Sequence, residues 1–181
     1  MPELPEVEVT MQAISPLLVG HVIEQLDTTP LSYFFVTPPA ILKKAIQGRT
    51  TLALERKGKY IVARLDDGAQ LLLHLGMTGQ LFGSGVSSLR LLTSTARSSL
   101  DPKEQPVFQP DKHTHLVFHL SSNNQLYFRD VRKFGKVEYI PKGEQSARLN
   151  KLGPDALTVS ARQLWPLLKS RKLAIKSALL D

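Results

Sequence analysis

The first six residues combine two prolines with two carboxylates in an arrangement that can do chemistry. Pro2 follows the initiating methionine, and Glu3 and Glu6 flank Pro5. Once Met1 is removed, Pro2 carries a free secondary amine; an N-terminal amine has a pKa of about 7.7–8, so a useful part of it is neutral and nucleophilic at neutral pH. The same residues are typical of a helix start, where proline and acids are favoured. A helix cap, a disordered tail and a reactive amine are therefore open alternatives.

Three further short segments place cations or apolar side chains beside glycines. They are KGKY at 57–60, HLGMTG at 74–79 and RDVRKFG at 129–135. Taken alone, the cations before Tyr60 suit an exposed strand end, and His74 suits a buried strand. An isolated Met or Phe usually packs in a core. Met77, however, lies between two glycines and Phe134 follows two cations, which favours exposure of both side chains.

Composition narrows the class of protein. The chain has 181 residues, 42% of them hydrophobic, which is enough for a core. No apolar run approaches the roughly 18 residues of a membrane span, and the acidic start is not a signal peptide. We therefore expect an intracellular protein with no membrane partner. The absence of cysteine excludes disulfides and thiolate metal sites, and the five histidines form no ligand cluster, so we expect no metal or cofactor within these residues.

The charge is basic and unevenly distributed. The formal net charge is +7, and residues 141–181 contribute +5 of it, from eight basic and three acidic side chains. Phosphate neutralisation requires such a basic surface, so nucleic acid is the leading class of partner. A solvated basic face is an equal alternative on charge alone.

The elements that must position these residues begin with a helix. Apolar residues recur at steps of four, three and four from Val7 to Leu18, which predicts one apolar stripe on a helix over Pro5–Leu18. Pro16 is expected to kink or end this helix, and Gly20 to close it.

The following segments alternate in the manner of short strands. Asp67–Gly68 and Ser121–Asn124 predict hairpin turns. The predicted elements are a short helix over Pro39–Ile46 and strands over His21–Asp27, Thr51–Glu55, Tyr60–Leu65, Gln70–Leu75, Leu116–Leu120, Gln125–Arg129 and Val137–Ile140. Many short strands with few helices predict a mainly β fold with some α, an antiparallel β-sandwich with an N-terminal helix. Between Gly83 and Pro110 we expect an extended, mobile loop.

The character of the chain changes near residue 150. Residues 161–168 and 173–180 are predicted to form helices, separated by the basic segment Ser170–Lys172. We therefore expect two domains, a β-sandwich over residues 1–141 and the beginning of a helical module over residues 150–181.

Taken in order, MPELPEVE at 1–8 and the KGKY, HLGMTG and RDVRKFG segments resemble the formamidopyrimidine-DNA glycosylase family, which excises oxidised purines from DNA. LGPDAL at 152–157 and KLAIKSALLD at 172–181 resemble the beginning of the family's helix–two-turn–helix DNA-binding module. The resemblance therefore runs over essentially the whole chain. Leu4 favours this family over the related endonuclease VIII branch, which typically has glycine there.

The resemblance assigns catalytic roles to four residues. It implies that Pro2 attacks the anomeric carbon of the damaged nucleotide, displaces the base and forms an iminium ion, from which the flanking phosphates are eliminated. Glu3 is implied to handle protons, and Glu6 to fix the site from the start of the helix. Lys59 matches the family's active-site lysine, which contacts the phosphate beside the damaged nucleotide.

The resemblance also implies a set of DNA contacts. Met77 would fill the space left by the flipped nucleotide, since a flexible apolar side chain on a glycine turn suits that task. Phe134 would wedge beside the orphaned base, and Arg132 would hydrogen-bond to it and favour cytosine. His74 and Lys133 match phosphate contacts. A further match, Lys176, lies in the second domain and corresponds to a lysine near the flipped nucleotide.

The chain departs from the family pattern in two ways. The family's DPRRFG is DVRKFG here, so Val131 replaces a turn-fixing proline and Lys133 loses the bidentate phosphate geometry of arginine. The resemblance also implies that further helices and a four-cysteine zinc finger follow Asp181. We therefore expect residues 1–181 alone to bind DNA weakly and to turn over slowly or not at all.

The resemblance predicts a bifunctional DNA glycosylase and lyase for base excision repair. It would act as a monomer on damaged double-stranded DNA, on lesions such as 8-oxoguanine opposite cytosine and formamidopyrimidines. Two alternatives remain, an endonuclease VIII-type enzyme for oxidised pyrimidines and a non-catalytic DNA-binding relative.

Overall fold

The computed structural model describes residues 2–83, 101 and 103–180, and the chain divides into two units, Met1–Ser146 and Ala147–Asp181. The predicted domains, 1–141 and 150–181, left the segment between them unassigned, and this division falls within that segment. The mobile loop predicted between Gly83 and Pro110 lies mostly outside the described residues. Its described part includes a short 3-10 helix at Gln105–Val107.

The described residues of the first unit form two α-helices and eight strands. In chain order they are α1 (Leu4–Leu18), β1 (Ile23–Thr28), α2 (Pro39–Ile46), β2 (Thr51–Lys57), β3 (Tyr60–Leu65), β4 (Gln70–His74), β5 (Gly79–Gly83), β6 (Thr114–Leu120), β7 (Gln125–Asp130) and β8 (Lys136–Ile140). The strands form two four-stranded sheets with orders β1-β6-β7-β5 and β2-β3-β4-β8. All pairings within the sheets are antiparallel.

One core joins both sheets and both helices. Its largest buried side chains include Phe34, Phe118 and Phe128, with Ile14 from α1 and Ile61 from β3. Alternate residues of each strand point into this core because successive side chains of a strand face opposite ways. The prediction of an antiparallel β-sandwich with an N-terminal helix is confirmed.

Helix α1 ends at Leu18, as the sequence predicts, and begins at Leu4, one residue before the predicted start. The backbone N–H of Glu3 donates to the carboxylate of Glu6, which satisfies one of the free donors at the helix start. The prediction that Pro16 kinks or ends the helix is wrong as to the ending, since α1 continues to Leu18. Proline has no backbone N–H, so Pro16 leaves out one helical hydrogen bond. Because this position is two residues from the end of α1, the helix continues past it. Gly20 follows with φ of +82° and closes the helix as predicted.

Strand β5 was not predicted. All five of its residues are buried, and it pairs with β7 at the edge of its sheet. Gly79 and Gly83 bound the strand and resemble turn residues in the sequence. Only long-range pairing with β7 identifies the segment as a strand.

The second unit is helical. It contains a 3-10 turn at Leu149–Lys151 and the helices α3 (Ala161–Lys169) and α4 (Ile175–Leu180). Ser160 caps α3, because its hydroxyl accepts from the N–H of Gln163 at 3.3 Å. The α3 helix has no buried residue. Among the helices within residues 2–83 and 103–180, none combines the length and apolar character that a bilayer crossing requires.

Candidate active site and nucleic-acid interface

The first helix runs antiparallel to β2, which sets where the N-terminal residues lie. At one end, the N–H of Gly20 donates to the carbonyl of Thr51 at 2.8 Å. Further along, Arg56 Nε lies 2.7 Å from Glu8 Oε2. From these points Leu4 lies about 6 Å beyond Glu8 along the helix, and Gly58 lies about 7 Å beyond Arg56 along the strand. The start of α1 is therefore level with the turn that follows β2.

That turn holds Lys59. Gly58 and Lys59 connect β2 to β3 as a two-residue hairpin turn, with φ of +58° at Gly58. The Arg56 guanidinium donates to the Gly58 carbonyl at 3.0 Å while it pairs with Glu8. Arg56 thus connects α1 to the turn that carries Lys59. Pro2 is buried, Glu3 is exposed, and Lys59 and Glu6 are partly exposed.

Strand register brings further predicted residues to the same end of the sheet. Lys57 pairs with Tyr60, Tyr60 with His74, and His74 with Lys136. The rings of Tyr60 and His74 lie 4.7 Å apart, centroid to centroid. Nδ1 of His74 accepts from the N–H of Gly76 at 3.2 Å. His74 is therefore a partly exposed residue at the end of β4.

The turn from Gly76 to Gly79 carries Met77. Gly76 has φ of +64°, and a Cβ there would lie 2.4 Å from Gly135 N and from the Phe134 carbonyl carbon. Glycine is therefore required at this position. Met77 is partly exposed and Thr78, beside it, is fully buried.

The neighbouring loop presents three predicted DNA contacts. Arg132, Lys133 and Phe134 are all exposed, and Phe134 is 42% exposed, so core packing does not account for it. The Arg132 guanidinium carbon lies 4.7 Å from the centroid of the Phe134 ring. Lys133 has φ of +58°, a conformation that residues other than glycine rarely adopt.

Asp130 holds this loop, and the sequence analysis assigned it no role. Its carboxylate is fully buried and accepts from the Thr78 hydroxyl, from the N–H of Arg132 at 3.2 Å and from the N–H of Gly135 at 2.7 Å. Asp130 stands in the RDVRKFG motif, but its partner Thr78 is 52 residues away. Only the fold brings them together.

A buried histidine contacts the backbone of Asp130. His115 is 1% exposed; its Nε2 donates to the backbone carbonyl of Asp130 at 2.9 Å, and its Nδ1 lies 3.1 Å from the Thr29 hydroxyl. Burial lowers the pKa of His115, so the neutral ring is favoured.

Lys176 lies in the other unit, in the first turn of α4, and is exposed. The structure thus brings together the N-terminal residues, Lys59, His74, Met77 and the 132–134 loop at one end of a sheet, and describes Lys176 separately. Within the described ranges, no group of three or more His, Asp or Glu is placed to hold a metal ion. The chain has no cysteine to supply a zinc finger, and a zinc site beyond Asp181 stays a prediction.

This arrangement defines a β-sandwich with cationic and apolar loops gathered at one end. Residues 1–137 match the family model described as the formamidopyrimidine-DNA glycosylase N-terminal domain. The chain belongs to the formamidopyrimidine-DNA glycosylase family.

Individual relatives agree with the family match. The chain is 34% identical over 183 residues to the formamidopyrimidine-DNA glycosylase of Paracoccus denitrificans, and 34% identical over 197 residues to that of Thermomicrobium roseum. The matches cover all of this chain but only 60% and 61% of those proteins. Among solved structures, the complex of Lactococcus lactis Fpg with DNA containing an abasic site is similar, with a TM-score of 0.60 and 30% identity over 77% of this chain and 43% of that one.

Proposed function

We propose that this protein is a base excision repair glycosylase and lyase that removes oxidised purines from double-stranded DNA through a Schiff base on Pro2. The observation that carries the proposal is the convergence at one sheet end of the start of α1, the Lys59 turn and the two loops that bear Met77 and Phe134. The family membership of residues 1–137 supports it.

The chemistry requires the Pro2 amine to be free after removal of Met1. Its nitrogen bonds to C1′ of the deoxyribose while the bond from C1′ to the damaged base breaks, and the base leaves with a proton. Ring opening gives an iminium ion, which acts as an electron sink. Loss of the C2′ proton then expels the 3′ phosphate, and a second elimination expels the 5′ phosphate. Glu3, exposed beside Pro2, is suited to move these protons.

Two cationic or polar groups suit the phosphate backbone. Lys59 lies on the turn that is level with the start of α1, so its ammonium is suited to the phosphate beside the nucleotide under attack. His74 lies on the neighbouring strand end and is partly exposed, which suits a further phosphate contact. Glu6 is held by the N–H of Glu3 and so helps to fix the N-terminal segment.

The exposed loops suit an enzyme that flips a nucleotide out of the duplex. Unstacking leaves a space that an apolar side chain can fill, and Met77 is partly exposed on a rigid glycine turn. Phe134 and Arg132 stack on each other nearby and are suited to the orphaned base, with Arg132 favouring cytosine. Lys133 adds a phosphate contact.

The decisive experiment is borohydride trapping on a duplex containing 8-oxoguanine opposite cytosine. Borohydride reduces the iminium to a stable amine, so a protein–DNA adduct is expected from protein whose intact mass shows loss of Met1. An extra residue ahead of Pro2 should abolish the adduct, because the nitrogen is then an amide. Lys59→Ala should reduce it strongly, and Lys57→Ala, changed on the same hairpin, should not.

Two outcomes would contradict the proposal. Absence of an adduct from correctly processed protein would favour a non-catalytic DNA-binding relative. Preference for a thymine glycol duplex over the 8-oxoguanine duplex would favour an enzyme of the endonuclease VIII type.

A further inference from the structure

The carboxylate of Asp130 lies between the two exposed loops of the site. Oδ1 accepts from the Thr78 hydroxyl and from the N–H of Arg132, and Oδ2 accepts from the N–H of Gly135. The Thr78 hydroxyl also accepts from the N–H of Arg132 at 3.1 Å. One buried side chain therefore bonds to the turn that carries Met77 and to both ends of the loop that carries Phe134.

The hydrogen-bond donors to the Asp130 carboxylate determine its structural role. A buried carboxylate is costly unless its oxygens are hydrogen-bonded. Two of its three donors are backbone N–H groups of the loop, so satisfying the carboxylate fixes the path of the loop backbone. Loss of the Gly135 N–H would remove the donor to the buried Oδ2, and loss of the Arg132 N–H would leave Oδ1 with the Thr78 hydroxyl.

The two loops also touch directly. A Cβ on Gly76 would lie 2.4 Å from Gly135 N, and a Cβ on Gly135 would lie 3.0 Å from His74 O and from Asp130 Oδ2. At Gly76 the backbone of one loop therefore packs directly on the backbone of the other, which leaves little room for a displacement.

The loop itself needs an external constraint. Lys133 has φ of +58°, and such a conformation persists only where the surroundings determine it. Val131 carries no ring to fix the turn. The hydrogen bonds from Arg132 and Gly135 to Asp130 lie on either side of Lys133 and supply that constraint.

We propose that Asp130 is a positioning residue that joins the Met77 turn and the 132–135 loop into one rigid wedge, so that the two loops enter the duplex together. This inference rests on the proposed function. It assigns the opening of the duplex to the coupled pair of loops and not to Met77 or Phe134 alone.

The variant that tests it is Asp130→Asn, which keeps the size and removes an acceptor. The amide turns an N–H group toward either the Thr78 and Arg132 donors or the Gly135 donor, so one loop is released. The control is Asp67→Asn. Asp67 also accepts from a backbone N–H, that of Ala69 at 2.9 Å, but it lies in the turn between β3 and β4, at the opposite end of these strands from Tyr60 and His74.

Duplex opening is measured without any chemistry. The probe is a duplex with a tetrahydrofuran abasic analogue, with 2-aminopurine beside the orphaned base as a fluorescent reporter of unstacking. Asp130→Asn should keep its affinity within about threefold, because phosphate contacts dominate affinity. It should lose most of the fluorescence increase, and trapping on a cleavable duplex should fall about tenfold or more, because small misplacements slow chemistry strongly. Asp67→Asn should match the wild type in all three measurements.

A second pair of variants, at Thr78, tests the same inference if Asp130→Asn does not fold. Thr78→Val removes the hydroxyl bond with little change in volume and should give an intermediate loss, whereas Thr78→Ser keeps the hydroxyl and should restore opening. Amide hydrogen exchange of Arg132 and Gly135 in the free protein should accelerate in Asp130→Asn and Thr78→Val.

The outcomes separate this inference from the proposed function. Wild-type fluorescence with a folded Asp130→Asn variant, or unchanged exchange at Arg132 and Gly135, would overturn the coupling. If the wild type itself neither opens nor traps DNA, the proposed function fails, and the exchange rates still decide whether Asp130 couples the loops.

Discussion

Charged side chains hold both halves of the candidate site, but in different surroundings. On the N-terminal side, Arg56, whose side chain is 8% exposed, pairs with Glu8, whose side chain is 29% exposed. On the loop side, Asp130 is fully buried and its donors are a hydroxyl and two backbone N–H groups. The first contact joins two side chains, and the second fixes backbone.

The difference suits what each half is proposed to do. An ion pair that is partly exposed is weakened by water and salt and lets its partners adjust. The N-terminal half must follow a reacting carbon through several steps, so limited adjustment is useful there. The loop half must resist the restacking of a duplex, and a buried carboxylate bonded to backbone gives that rigidity.

The largest effect is expected from Gly76→Ala, which breaks the rigid half. The new methyl group would meet Gly135 and Phe134 backbone atoms at 2.4 Å in a left-handed conformation, so we expect a loss of about 2–4 kcal/mol in the free energy of unfolding. Gly48→Ala is the control, because Gly48 has a similar φ of +79° with nothing within 4 Å. It should cost about 1 kcal/mol. If urea unfolding showed equal losses of unfolding free energy for Gly76→Ala and Gly48→Ala, the tight packing of the two loops would be contradicted.

Arg56→Lys tests the adjustable half. Lysine keeps the charge but cannot reach both Glu8 and the Gly58 carbonyl as the guanidinium does. We expect trapping to slow about tenfold while 2-aminopurine opening stays normal, since only the position of Lys59 changes. Arg64→Lys is the control on the same hairpin, where Arg64 pairs with Glu55 at the surface. A loss of opening in Arg56→Lys would show that the two halves are not separate.

The third prediction concerns pH and the support behind Asp130. Because burial lowers the pKa of His115, the unfolded chain takes up a proton below about pH 6.5 that the folded chain does not. Protonation therefore favours unfolding, and stability should fall as pH drops from about 6.5 toward the lowered pKa of the folded state. His115→Asn should show a shallower fall in unfolding free energy between pH 7.5 and 5. An identical pH dependence of the unfolding free energy in the wild type and His115→Asn would exclude His115 as its source.

The smallest effect is expected from Lys133→Arg, which restores the arginine of the family motif. Arginine can bind phosphate bidentately, so affinity for the tetrahydrofuran duplex should rise about two- to fivefold. Lys112→Arg, at an exposed position outside the loop, should leave affinity unchanged. A decrease for Lys133→Arg would show that Lys133 does not face phosphate.

Local signals predicted much of the fold. The bounds of α2 and β3 agree with the sequence pattern, because an apolar period and flanking turn residues determine both. The Asp67–Gly68 turn likewise lies between β3 and β4. Strand β5 was missed because its glycine ends imitate turns, and its burial depends on pairing with β7.

The candidate site also contains residues that local sequence predicts and residues that only the fold identifies. The residues that meet DNA in the proposal stand in short motifs, so the sequence predicts Lys59, Met77 and Phe134 as candidates. The residues that hold them were missed. Arg56 pairs with Glu8 across 48 positions, and Thr78 bonds Asp130 across 52. The residues adjacent to Arg56 and Thr78 in the sequence do not indicate these partners, because each contact forms only when the sheets assemble.

The two-residue turn after β2 restricts how this hairpin can change in length. Arg56 shares the core face with Ile61, and Lys57 pairs with Tyr60 on the opposite face. One inserted residue in β2 would reverse the faces of everything beyond it and turn the guanidinium away from Glu8. A single insertion between the irregularity at Thr51–Ala53 and Arg56 is thus expected to break the contact of Arg56 with Glu8. The alternation of the pleat thereby links the position of the Lys59 turn to that of α1, which carries the proposed nucleophile at its start.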